Sequence, residues 1–346
     1  MSGILSRLCV TASLLLAGVS QSLAADAALV EAATKEGKVV WYTGYLAQQL
    51  ARPMVAGFEA KYPGIKVEYS VANDTDTASK IITEAQANSL QADVFDGFAT
   101  IFPLLDAGLI AKYSPESAKD FPVDLKDPNG FWTLANLYIM TAAYNTDLVK
   151  ADEAPKSYDD LLDPKWKGKM VWTGSNLGPT GVPGFVYNML ELKGKEAGLE
   201  YLKRLANQDI TQIDAYQRVV LDRVIGGEYA IALMINIHHV PISAAQGAPV
   251  AWIKMEPLLQ VGSPIGVLKP APHPNAGRLF VDYVLSDEGQ NIMREAGYIP
   301  TRPGVPALRP EITPTDHFNV KNVSPEVARN HLAEWVALYR DTFRTN

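Results

Sequence analysis

The residues best suited to holding a small polar molecule gather in 172–185, the stretch WTGSNLGPTGVPGF. Ser175, Asn176 and Thr180 supply side-chain donors, and the glycines, Gly181 among them, let backbone N–H groups approach a ligand closely. A helix starting just after such a loop adds unpaired N–H groups and partial positive charge, which together make an anion cradle. The same composition serves a plain strand-to-helix turn that needs Gly and Pro only for its geometry. Further on, Asp214 is expected to cap a helix ending at Gly226-Gly227, with Gln217 and Arg218 in its first turn. A cation there opposes the helix dipole, and an anion at the helix start would repair the mismatch; an Arg reaching water is the alternative. Asn236, His238 and His239 cluster at the end of the apolar run 229–237. Two adjacent histidines on a strand point to opposite faces, which would turn one of them toward a ligand.

These residues need elements to position them. The chain reads as helix 27–35 with Asp26 as cap and Gly37 as stop, strand 38–42, helix 48–62 with Pro53 near its first turn, strand 65–69, helix 76–89 and strand 92–96. This βαβαβ order implies an α/β fold with parallel strands and right-handed crossovers, and ligands beyond the carboxyl ends of the strands. Those ends are Tyr42-Thr43-Gly44-Tyr45 and Asp96-Gly97-Phe98-Ala99. Thr43, Tyr45, Asp96 and Gly97 therefore join the candidate site, with Tyr42 read as core and Tyr45 as facing the ligand. The apolar run 132–145 has room for one long strand between two lobes, where extended residues can absorb a hinge rotation. A second α/β unit follows. It has strand 170–172, a helix carrying Phe185, Met189 and Leu192 up to Gly194, helix 195–206, strand 229–237 and a short strand 249–256. A return strand 261–268, helices 275–285 and 287–296, and a last helix capped by Ser324 with Pro325 behind it complete the chain.

The 346 residues carry a net charge of −7, which argues against a nucleic-acid partner because phosphate backbones need a basic face. Arg7, an apolar run over 8–19 and Ser22-Leu23-Ala24 form a secretory leader cut after Ala24, too short to anchor the chain in a membrane. Its loss makes the chain more acidic. The single cysteine, Cys9, lies inside it, so disulfides, thiolate catalysis and cysteine-held zinc are excluded from the mature chain. The motifs G-x-S-x-G, H-E-x-x-H, the P-loop and G-x-G-x-x-G do not occur. No cofactor is expected, and an enzyme built on Asp96 and His238 is the least favoured reading.

Several longer stretches are distinctive in combination: EGKVVWYTGY, FEAKYPGIKVEY, QADVFDGF, AAYNTDLV, SYDDLLDPKWKGKMVW, GGEYAIAL, and APHPNAGRLFVDYVLSDEGQ followed by GYIPTRPG. Through them nearly the whole mature chain resembles the periplasmic solute-binding proteins of ATP-binding-cassette importers, in the group that includes the ferric-ion-binding proteins. The resemblance implies two α/β lobes of the type II binding-protein fold, with parallel-rich sheets and a hinge between the lobes. Lobe 1 would hold 25–130 and 266–304 and lobe 2 131–265 and 305–346, with crossover strands near 131–145 and 261–268. It implies a periplasmic monomer that passes a small-molecule solute to a membrane permease. In the ferric binders a His, a Glu and two adjacent Tyr hold iron. Those places fall here at Leu46, Phe98, Ile237 and His238, three of which offer no donor atom. The family's anion-holding loop falls at Ser175, Thr180, Gly181, Gln217 and Arg218. The expected solute is a small organic anion, phosphorylated, phosphonate or carboxylate. It would be clamped by the loop and Arg218, with Tyr45, Asp96 and His238 reading the rest. Ferric ion in a rearranged site, or a thiamine- or polyamine-type solute, is the alternative.

Overall fold

The computed structural model describes residues 27–314 and 318–344; the expected leader and the Asp26 cap lie outside them. From there helix and strand alternate: α1 (Ala27–Glu36), β1 (Lys38–Thr43), α2 (Arg52–Lys61), β2 (Lys66–Val71), α3 (Asp74–Gln86), β3 (Val94–Asp96) and α4 (Ile101–Asp106). The expected helix 48–62 is two pieces. Residues Ala47–Ala51 form a π-turn running into α2, because the Leu46 carbonyl accepts from both Leu50 N (3.0 Å) and Ala51 N (3.3 Å). Helix α3 starts earlier than expected because Asn73 caps it, accepting from Asp76 N at 2.9 Å.

The long apolar run is one strand, β4 (Thr133–Asn145). After it come β5 (Met170–Thr173), α5 (Val182–Lys193), α6 (Lys195–Ala206), β6 (Thr211–Ile213), α7 (Gln217–Ile225), β7 (Ile231–Asn236), α8 (His239–Ala245), β8 (Val250–Ile253) and β9 (Leu258–Val267). The chain finishes with α9 (Pro274–Leu285), α10 (Asp287–Glu295), β10 (Ile299–Pro300), β11 (Val320–Val323) and α11 (Pro325–Phe343). Ser286 and Ser324 cap α10 and α11 as their positions predict. Asp214 does not cap α7. Tyr216 occupies that position without a side-chain bond, and Asp214 faces Arg344 at 3.6 Å. Nor do His238 and His239 extend β7. His238 has helical backbone angles (φ −65°, ψ −25°) and leads into α8, so the two rings do not alternate across a strand but touch, 4.4 Å between centroids.

The strands run in the order β2-β1-β3-β9-β4-β7-β5-β6, with β8 and β10 added to β4 and β11 to β9. β1 is parallel to β2 and β3, and β5 is parallel to β6 and β7. These two parallel groups meet at the antiparallel pair β4 and β9, in register from Thr133↔Ile265 to Met140↔Leu259 with one shift between Leu134 and Asn136. On one side Trp41, Phe58, Phe280 and Tyr283 share a core; on the other, Trp172, Phe185, Trp335 and Tyr339 do. Helix α11 covers α5 and α6. Among the described residues, no helix is long and apolar enough to cross a membrane.

Distant pieces of chain are tied by two carboxylates, Glu36 half-buried and Asp93 buried. Glu36 caps α9 from the end of α1, accepting from Asn275 N at 2.9 Å and Ala276 N at 2.7 Å. Asp93, fully buried, accepts from Val40 N (2.8 Å) and His273 N (2.6 Å) and pairs with His273 Nδ1 (3.0 Å). Asp93→Ala strands those donors, so unfolding in denaturant should show a loss of about 3 kcal/mol, well beyond a surface substitution.

Candidate functional site

Four of the expected site residues are joined in one chain of hydrogen bonds at the carboxyl end of the β5–β7 group. Asn176 Nδ2 donates to Thr180 Oγ1 (3.0 Å), and Asn176 Oδ1 accepts from Gly178 N (3.0 Å). Gln217 Nε2 donates to the Thr180 carbonyl at 2.5 Å. Gln217 Oε1 accepts from Asn236 Nδ2 at 2.9 Å. Gln217 thereby draws the N-terminus of α7 against the loop that starts α5, and the positive ends of two helices converge. The loop's glycines have steric reasons. A Cβ on Gly181 would lie 2.0 Å from the Asn176 carbonyl oxygen, and one on Gly184 1.8 Å from that of Pro179. Ser175 stays exposed beside them, its hydroxyl 3.4 Å from Thr173 Oγ1.

Arg218 is not free to clamp an anion. Its guanidinium donates to Asp222 Oδ1 one turn along α7 (2.7 Å) and to Ser243 Oγ of α8 (2.8 Å). The dipole mismatch expected at this position is relieved within the protein, by an i,i+4 carboxylate.

A second group of the expected residues gathers at the ends of β1 and β3. Tyr45, expected to face the ligand, is instead 2 % exposed: its ring packs on Trp41 and Tyr298 (centroids 6.0 and 5.4 Å), and its hydroxyl donates to Asn136 Oδ1. Thr43 is buried and its hydroxyl accepts from Tyr45 N at 3.0 Å. Asp96 is buried and accepts from Trp41 Nε1 (2.7 Å) and Gly44 N (3.0 Å). Burial pushes its carboxyl up to about 7; hydrogen bonds from Thr43, Gly44 and Trp41 pull the other way, and the charge of Asp74 adds to the rise. Gly97 adopts φ +116°, a conformation glycine accepts readily.

His238 packs beside Tyr138 and Tyr298. It is 2 % exposed, its ring lies 5.6 Å from Tyr298 and 6.3 Å from Tyr138, and its Nδ1 has no hydrogen-bond partner. Burial, then the neighbouring His239, holds its pKa well below the usual imidazole value. His239 is lowered to about 4 by burial and then by Arg218. Asn236 Oδ1 is likewise buried and unpartnered. Tyr138, Tyr298, Asn136 and Asp74 belong to this region and were not singled out from the sequence. Tyr138 lay hidden in an apolar strand and Asp74 in a helix start. The Tyr in GYIP, next to a glycine stop, was the one available signal. A cavity of about 310 Å³ lined by Tyr113, Ala118, Val123 and Trp132 involves none of these residues.

The places that hold iron in the ferric binders do not assemble here. Leu46 is exposed, Phe98 packs on Phe102, and Ile237 is fully buried among apolar side chains. Among the described residues, no group of three or more His, Cys, Asp or Glu is placed to hold a metal ion.

A two-part α/β chain with an anion-suited loop at the strand ends is the build of a solute receptor. The chain belongs to the bacterial extracellular solute-binding proteins, whose family model matches residues 53–320. It is 26 % identical over 316 residues to the Fe(3+)-binding periplasmic protein of Serratia marcescens, covering 85 % of this chain and 87 % of that one. It is 22 % identical over 287 residues to a putative 2-aminoethylphosphonate-binding periplasmic protein of Salmonella typhimurium, covering 80 % and 79 %. Iron-bound HitA from Pseudomonas aeruginosa superposes with a TM-score of 0.74 at 25 % identity, over 88 % of this chain and 99 % of HitA. The fold is therefore the type II periplasmic-binding-protein fold.

Asp96 makes stability depend on pH. Its folded pKa lies above the ordinary carboxylate value near 4, so the native state binds more protons than the unfolded state between about pH 4 and 7. Its contribution is complete at low pH and is lost as the pH rises through about 7. The melting temperature of the parent relative to Asp96→Asn should fall from pH 5 to pH 8; parallel curves would show that Asp96 titrates normally.

Proposed function

We propose that the protein is the periplasmic receptor of an ATP-binding-cassette importer for a small organic anion with a phospho, phosphono or carboxyl group. It captures this solute between lobes 25–130 with 266–304 and 131–265 with 305–346, then delivers it to a membrane permease. The proposal includes export by the leader 1–24 and function as a monomer. The observation that carries it is the convergence of the α5 and α7 N-termini, tied by Gln217 to Thr180 and Asn236. Aligned N–H groups there offer charge-complementary donors to an anion without a formal cation. Ser175, Thr180, Gly181 and Gln217 form the anion site, and Asn236 and His238 read the adjoining part of the solute.

Iron is the second reading, because two of the proteins it resembles are named for iron. The nearby phenols work against it. Burial pushes Tyr298 up to about 12 and Tyr45 and Tyr138 well above their usual value, which disfavours the tyrosinate form that ferric ion prefers.

Native mass spectrometry of freshly purified protein should reveal a retained organic anion. Loss of the Gln217 bridge in Gln217→Leu should weaken its binding about tenfold in calorimetry, on the order of 1.4 kcal/mol. Arg218→Ala should weaken it less than Gln217→Leu does. A visible tyrosinate–iron band on adding ferric citrate, with no retained anion, would overturn the anion reading in favour of iron.

A further inference from the structure

A cation does touch the anion loop, but it comes from the end of α11. That helix end is seated on β5 and β6. The Phe343 ring meets Trp172 of β5 at 4.8 Å between centroids, and the Phe343 carbonyl accepts from Gln212 Nε2 of β6 at 2.6 Å. Tyr339, fully buried, fixes the same place: its hydroxyl donates to Gln212 Oε1 at 2.5 Å. The same hydroxyl accepts from Arg344 Nε at 3.0 Å, and the guanidinium lies 5.4 Å from the Tyr339 ring centre. Held in this way, Arg344 Nη2 donates to the Gly174 carbonyl and stands 3.6 Å from Asp214 Oδ1. Gly174 opens the loop that leads to α5, and Asp214 lies in the turn just ahead of Gln217, where α7 starts.

A glycine makes room for this contact. A Cβ on Gly174 would lie 2.8 Å from Asp214 Oδ1 and 3.2 Å from Arg344 Nη2. Short bonds between the two segments carry the contact toward the site. Gly174 N and Ala215 N both donate to the Ile213 carbonyl (2.8 and 2.9 Å), and Thr173 Oγ1 donates to the Ala215 carbonyl (2.7 Å). Gln217 ties the far part of the loop through Thr180, and Arg344 ties its beginning. The ion pair alone is worth little, because the Asp214 side chain is 79 % exposed. What Arg344 supplies is direction: a planar guanidinium seated on a buried ring holds a carbonyl and a carboxylate in set positions. We propose that Arg344 is a positioning residue of the anion site. It clips the β5–α5 loop to the turn before α7, so that the donors at 175–181 and Gln217 stay set for the solute. The inference rests on the anion reading above and adds a residue that acts through the loop and not on the solute.

The test begins without a ligand. In hydrogen–deuterium exchange, Arg344→Ala should speed exchange about tenfold in peptides covering 174–181 and 213–217, while peptides of β1 keep the parent rate. Arg340→Ala is the control. It makes the same change in net charge one turn earlier on α11, where Arg340 is exposed and, among the described residues, its side chain has no hydrogen bond or ion pair. Both sets of peptides should keep the parent rate in it. Calorimetric titration with inorganic phosphate, ethylphosphonate and succinate should show at least one bound by the parent. Arg344→Ala should bind it about tenfold more weakly, and Arg340→Ala as the parent does. Gly174→Ala, which displaces the pair and keeps every charge, should weaken it too, and Arg344→Lys should fall between parent and Arg344→Ala. Parent exchange rates in the loop of Arg344→Ala, or parent affinity in that variant, overturn the clip and leave the anion reading standing. Faster exchange spread equally over β1, or equal affinity losses in Arg344→Ala and Arg340→Ala, overturn it as well, in favour of general stability or net charge. If none of the three anions binds the parent, the anion reading falls and this inference with it.

Discussion

The antiparallel contact between β4 and β9 is the constraint on which the rest of the molecule depends. Neither strand belongs to one side. The first residues of β4 lie against the end of β9 that pairs with β3, and its last residues pair with β7 and β8. Every residue of β9 is buried, and all but Tyr138 of β4. Strands buried on both faces read as continuous apolar runs, which is why WTLANLYIMTAAYN shows no alternation. Through this pair the two parallel groups present their strand ends to a common region. There the rings of His238 and Tyr298 meet, and Phe98 from beyond β3 packs into the core that holds Met140 and Leu259.

The two groups of strand-end residues use different physics. One is positive through backbone geometry alone: helix starts, a glycine loop, and amide side chains that fix them. The other is negative through formal charge in a place where ionisation is disfavoured. Neither arrangement stabilises the fold by itself. Buried carboxylates and unpartnered acceptors are tolerated only because the surrounding strands and helices over-determine their positions. An ion pair between Arg329 of α11 and Asp106 of α4 links the two sides at their edge.

The legible parts of the sequence were those governed by short-range rules. Gly37, Ser286 and Ser324 punctuate the chain where one turn of backbone decides the outcome, and the elements between them follow their apolar periods. The donors of loop 174–181 were legible one by one, but the bonds of Asn176 and Gln217 to Thr180 that join them were not. Arg218 was misread because its partner Ser243 comes from another helix, a contact with no trace in spacing. Tyr45 was misread for a similar reason. The Trp41 ring that encloses it comes from β1 just before it, but the Tyr298 ring comes from the approach to β10, at the other end of the chain. His238 and His239 looked like strand residues until the backbone turned helical one step after Ile237.

The bond between Glu36 and the start of α9 has a consequence for how the chain comes into being. Strand β3 needs β9 beside it, α1 needs α9 against it, and Trp41 and Phe58 need Phe280 to close their core. All of these partners lie far downstream, so the portion made first at the ribosome cannot bury its aromatic side chains until the last quarter of the polypeptide has been added. A nascent chain in that condition holds no finished tertiary structure on its amino-terminal side. The same interleaving forbids cutting the molecule near residue 130, since the amino-terminal fragment would lack both the strand beside β3 and the helix that covers α1.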